Sequence, residues 1–186
     1  MAIEFWKASS SRRKRLLTVG AAFLLLIVVA AAGALTPMSQ QQAEEENNSL
    51  NETRQQVLNT SLLSGTLQIF RNNFVISLVT FIPFVGPFFG AMVMYNTGLV
   101  IGAETYAESF SLSPVLVLLL LFFYPFTWME FLAYSIAFSE SVWLAWSIIK
   151  RRAKNELVTA LILILVCMVT LLAAALIEIV IIKALI

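Results

Sequence analysis

YPFTWMEFLAYSIAFSES, residues 124 to 141, sets Glu130 and Glu140 into a run otherwise apolar enough to lie inside a lipid bilayer. A charged carboxylate at the centre of a membrane helix costs roughly 2.5–3.5 kcal/mol on insertion scales, so such groups face protein or water rather than lipid. Take 100° per residue and set Glu130 at zero. Ser141 then falls about 20° away, Tyr134 about 40° and Thr127 about 60°, with Glu140 about 80° to the other side. Trp128, Trp143 and Trp146 fall behind, near roughly 160–220°. The spacing predicts a helix with a polar face for protein neighbours and an indole face for lipid. Trp143 and Trp146, just before a basic cluster, suit an interfacial aromatic belt.

The whole chain fits that setting. Of its 186 residues, 60% are hydrophobic and only 12% charged, against about 25% charged in soluble domains. Its mean hydropathy is +0.87. These values describe an integral membrane protein, all-α, in contact with the lipid bilayer. The sequence has no histidine and one cysteine, Cys167, inside an apolar run. The commonest general base and metal ligand is thus missing, and neither an intrachain disulfide nor a thiol–metal cluster can form. Ser135, Ser139 and Ser141 have no histidine to activate them. No catalytic residue, metal or cofactor is expected, and no nucleic-acid partner.

Outward from the central stretch, Lys150, Arg151, Arg152 and Lys154 form one basic cluster. Lys7, Arg12, Arg13, Lys14 and Arg15 form another within residues 1–15. Basic flanks favour the cytoplasmic side. Leu16 to Leu35 is 20 residues without a charge, enough to cross a hydrocarbon core of about 30 Å. It exceeds the apolar core of a secretory leader, about 7–15 residues, and is expected to be a retained helix. Putting both basic clusters inside requires an even number of crossings between them. Spans at 16–35, 68–84, 88–106 and 114/125–149 supply four, and 157–182 a fifth, leaving the carboxyl terminus outside the plasma membrane. Pro83, Gly86 and Pro87 make the turn of a hairpin between the second and third spans. Pro114 to Lys150 is too long for one straight crossing, so Pro125 is expected to kink it or to leave 114–124 partly re-entrant.

Residues 36–66 read as a polar, acidic outer loop with Glu44, Glu45, Glu46 and Glu52. An outer partner site on a helix over Glu44 to Leu63 is an alternative to a solvated spacer. Asn47, Asn51 and Asn59 head three glycosylation sequons. Arg71, Asn72 and Asn73 are expected at the outer interface. Gly86 and Gly90, and Gly98 and Gly102, stand four apart, the spacing that lets membrane helices approach closely. Asn96 is a further polar group for the intramembrane face, with Thr127, Glu130, Tyr134, Glu140 and Ser141.

From Ile69 to Ile182 the chain resembles the stage II sporulation protein M family. Phe70-Arg-Asn72-Asn73 is similar to its F-x-N-N, Asn96-Thr-Gly98 with Gly102 to its N-x-G-x-x-x-G, and Pro125-Phe-Thr-Trp-Met-Glu130 to its P-H-G-x-x-E. Here Phe126-Thr127 replaces the family's His-Gly, so no role of that histidine carries over. The resemblance implies a multi-pass helical protein acting in membrane complexes of the cell envelope, the namesake scaffolding peptidoglycan-degrading partners rather than cutting. The sequon-rich loop suggests an archaeal-type member, where such partners would not apply. The leading expectation is a non-enzymatic scaffold or accessory subunit in a homo- or hetero-oligomeric membrane complex. The alternative is a transport or channel component using Glu130, Asn96 and Glu140 along a polar path.

Overall fold

Three serines begin helices in the computed structural model, which describes residues 11–107, 112–151 and 153–184. Lys7 and Arg152, named above, lie outside them. Helix α1 spans Ser11–Ala34. Ser39 caps α2 (Gln40–Leu58) in a reciprocal box with Gln42, and Ser61 caps α3 (Leu62–Thr80) by accepting from the Ser64 amide. A cap of this kind satisfies an amide that the first helical turn leaves without a partner. Helix α4 covers Gly86–Ala107. Ser113 caps α5 (Pro114–Leu121), and α6 (Pro125–Ile149) starts on a proline, whose missing N–H costs nothing at that position. Helix α7 spans Ala153–Ala184.

Among the described residues there are seven helices and no strand. Three of them, α1, α6 and α7, are long and apolar enough to cross a membrane. The 36–66 segment is largely the helix α2 rather than an irregular loop. Its capping box and its Gln40–Glu44 and Gln41–Glu45 side-chain bonds, one turn apart, support a helix despite the polar composition.

The expected hairpin joins α3 to α4 through residues 81–85. Gly86 is required there: a Cβ on it would lie 1.9 Å from the Thr80 carbonyl oxygen. Phe84 takes φ 67°, unusual for a bulky side chain and imposed by the tight reversal. The break before Pro125 also forms. Residues 122–124 separate the eight-residue α5 from α6.

Helix α6 lies between two apolar clusters. Phe131 and Tyr134 pack with Leu26 and Ala30 of α1, Met94 and Ile101 of α4, and Leu118 of α5. Ala133 and Ala137 pack with Phe81 and with Cys167 and Leu171 of α7. Lipid tails are as apolar as leucine, so close fit rather than escape from water decides such contacts. The small residues of α6 and α7 serve that fit. Helices α1 and α4 run parallel in near backbone contact. A Cβ on Gly98 would meet the Ala30 carbonyl oxygen at 1.9 Å, and one on Gly33 the Tyr95 carbonyl oxygen at 2.0 Å.

Candidate functional site

Two polar centres are built on α6, about ten residues apart, and each is closed by a different helix. At the first, Glu130 accepts from the Asn73 side-chain amide of α3, and Asn72 donates to Asn73 at 3.4 Å. Tyr134 is buried one turn further along. Glu178 of α7 is near enough to Glu130 for their carboxyls to interact electrostatically. Thr127 is buried on the same side of the helix.

The second centre joins α1, α6 and α7. Arg15 reaches Glu140 at 2.5 Å and also pairs with Glu156. Glu140 is 2% exposed and Arg15 23%, so this is a substantially enclosed ion pair. The guanidinium also lies 5.1 Å from the Trp143 ring centroid. Thr18 accepts from Ser139 at 2.8 Å and from the Trp143 indole at 3.0 Å, while its own hydroxyl donates to the Arg15 carbonyl at 2.9 Å. Ser147 donates to Glu156 at 3.4 Å. Two acids share one arginine, and the other Glu140 oxygen is buried without a hydrogen-bond partner.

The single polar face read from the helix wheel is therefore divided. Ser141 lies close to Glu130 in angle but eleven residues further along α6. It donates to the Ile82 carbonyl at 2.7 Å and so holds the α3–α4 turn. Asn96 does not join Glu130. It is exposed on α4, because the inward face of that helix is set by Gly90, Gly98 and Gly102, all buried, and Asn96 stands about 200° from Gly98. Trp143 is turned onto α1 rather than to the outside, drawn there by Arg15 and Thr18. Trp128 also packs on α1, stacked on Phe23 at 5.7 Å and donating to the Phe122 carbonyl at 2.7 Å. Trp146 is exposed, with Lys150 over its ring at 5.0 Å.

Arg71, Asn72 and Asn73 sit in the middle of α3, not at its start. Ser61 begins the helix earlier than the apolar pattern suggests, and Gly65, packed on Ile179 of α7, fixes its first turns. Asn73 turns inward to Glu130, and Arg71 and Asn72 remain exposed. Asn51 and Asn59 are exposed on α2 and at its end, whereas the Asn47 side-chain oxygen is buried without a partner. Gly86, Gly90, Gly98 and Gly102 are all buried at helix contacts.

Arg15, Thr18, Gly33 and Glu156 escaped the sequence reading. Arg15 was visible only as one member of a basic flank. The signal for Gly33 was present: Ala22, Leu26, Ala30 and Ala34 recur every fourth residue, and all are buried. At the opposite end of the bundle, Lys183 donates to the Leu58 and Thr60 carbonyls at 3.0 and 2.8 Å, and Arg54 pairs with Glu104 at 2.7 Å. Those contacts tie the polar helix α2 to α7 and α4. Among the described residues, no group of three or more acidic or cysteine side chains is arranged to hold a metal.

These features define an all-helical membrane protein in which the two acids of α6 bond to neighbouring helices. The sequence model of the Stage II sporulation protein M family matches residues 21–181, and the chain belongs to that family. No curated protein and no solved structure matches it.

Proposed function

We propose that the chain is a non-enzymatic, multi-pass scaffold or accessory subunit of a membrane complex at the cell envelope. One observation carries this reading: Glu130, Glu140 and Ser141 of α6 each bond to a different part of the bundle. Glu130 is engaged by Asn73, Glu140 by Arg15 and Ser141 by the hairpin turn, on three separate neighbours. Side chains committed in this way fix the mutual positions of helices, the property needed to present outer surfaces to partners.

The proposed setting is five crossings, made by α1, α3, α4, the α5–α6 pair and α7. The amino terminus is cytoplasmic and the carboxyl terminus outside. Arg15 meets Glu156 at one end of the bundle and Lys183 meets α2 at the other. The 28 residues of α7 from Glu156 to Lys183 rise about 40 Å, the thickness of a bilayer with its headgroup regions. The basic clusters then lie at the cytoplasmic end and the acidic α2 outside, as the positive-inside tendency requires.

A Glu130→Gln exchange in reconstituted liposomes and in native membranes tests the role. The scaffold reading expects no ion flux from either form and a weaker complex from the variant. Flux in the wild type that Glu130→Gln abolishes, with the complex intact, would replace a scaffold by a conduction path.

A further inference from the structure

Helix α3 presents an unpartnered face. Ser64, Gln68, Arg71, Val75 and Leu78 recur at intervals of four, three, four and three, and all five are exposed. That is the spacing with which two helices interlock, knobs into holes. Arg71 stands at the centre of the face, nine residues from Leu62 and nine from Thr80, about 13 Å from either end of the helix. Among the described residues no acid pairs with it: Glu140 and Glu156 are held by Arg15, and Glu104 by Arg54. Arg71 lies in a groove of about 520 Å³ lined by Leu67, Gln68, Asn72, Val75 and Ile76. Asn72 leads from this groove to Asn73 and so to Glu130, joining the outer face to the interior carboxyl through two amides.

An arginine at bilayer depth costs roughly 2.5–3.5 kcal/mol and is accommodated by a partner or by reaching the interface. Its mid-helix position favours the partner. Among the described residues a second copy offers no exposed acid at this depth: Glu130 is bonded to Asn73, Glu140 is paired with Arg15, Glu178 is half-buried on α7, and the exposed Glu44, Glu45, Glu46 and Glu52 belong to α2. We propose that this face of α3 docks a transmembrane helix of another protein, with an aspartate or glutamate of that helix paired to Arg71. Such docking presupposes the scaffold role and the membrane placement of α3 proposed above, and gives that role a partner chemistry.

A photoreactive benzophenone amino acid at Gln68 of the full-length chain, irradiated in native membranes, tests the site. The expected product is an adduct with a second protein, mapped by mass spectrometry to a membrane segment bearing Asp or Glu. It should fall at least tenfold with Arg71→Ala and persist with Arg71→Lys, the thermal midpoint of the bundle unchanged in both. Adducts only with phospholipid, with another copy of this chain or with a segment lacking an acid would overturn the proposal, as would indifference to Arg71→Ala. The same probe at Leu161, exposed on α7, separates the two claims. Protein adducts at Leu161 with lipid alone at Gln68 sink the α3 site and spare the scaffold; lipid alone at both positions sinks both.

Discussion

Asn73 donates its side-chain amide to Glu130 across the α3–α6 boundary, joining two segments that lie 57 residues apart in the chain. An acid that insertion energetics forbid from facing lipid is thereby converted into a helix-to-helix fastening. Asn73→Ala should cost about 1–2 kcal/mol of bundle stability, the upper range for a hydrogen bond between membrane helices. Glu130→Gln keeps an acceptor oxygen and should cost less than half as much. Unfolding in mixed micelles with increasing dodecyl sulfate measures both; equal losses would show that the carboxylate itself, not the bond, matters.

Arg15 holds two acids at once, so its removal should be far more damaging than that of either acid. Arg15→Leu leaves Glu140 enclosed without a cation and should cost about 3–5 kcal/mol, the range seen when one member of a buried pair is removed. Adding Glu140→Gln to Arg15→Leu should restore a large part of that loss. A double-mutant cycle on the same unfolding assay reports the coupling, and additive losses would rule out the enclosed pair as drawn.

Two glycines on different faces provide an internal control. A Cβ on Gly98 would lie 1.9 Å from the Ala30 carbonyl oxygen, whereas one on Gly20 meets nothing within 4 Å. Gly98→Ala should force α1 and α4 apart and destabilise by about 1–3 kcal/mol, the usual cost of overpacking. Gly20→Ala should stay within about 0.5 kcal/mol of the parent. Similar behaviour of the two variants would mean that α1 and α4 do not approach so closely.

The sidedness proposed for the bundle has its own test. A cysteine at Glu52 should react with an impermeant maleimide added to intact cells, and one at Lys154 only after the membrane is opened. Labelling of Lys154→Cys from outside would contradict the five-crossing arrangement.

The parts of this design that were legible in the sequence are those confined to one helix. The turn at Pro83–Pro87, the break at Pro125 and the inward set of Thr127, Glu130, Tyr134 and Ser141 follow from local breakers and from the periodicity of α6 alone. Partner choice is a different matter, because it depends on the register between helices. Glu130 could not be matched to Asn73, nor Glu140 to Arg15, from spacing within α6. Asn96 shows the same limit from the other side. Its polarity suggested the interior, yet the buried glycines of α4 claim that face and turn Asn96 away. Helix α2 was obscured by composition: its residues are polar nearly throughout, and capping and side-chain bonds along the helix sustain it rather than an apolar stripe.

The scaffold role is tested most directly by the mass of the particle that carries the chain. Native mass spectrometry of material extracted from its own membranes in mild detergent should show the 20.7 kDa chain bound in fixed ratio to at least one further polypeptide, with Asn73→Ala and Arg15→Leu lowering the bound fraction. Recovery of the chain alone, stably folded and without a bound polypeptide, would contradict it.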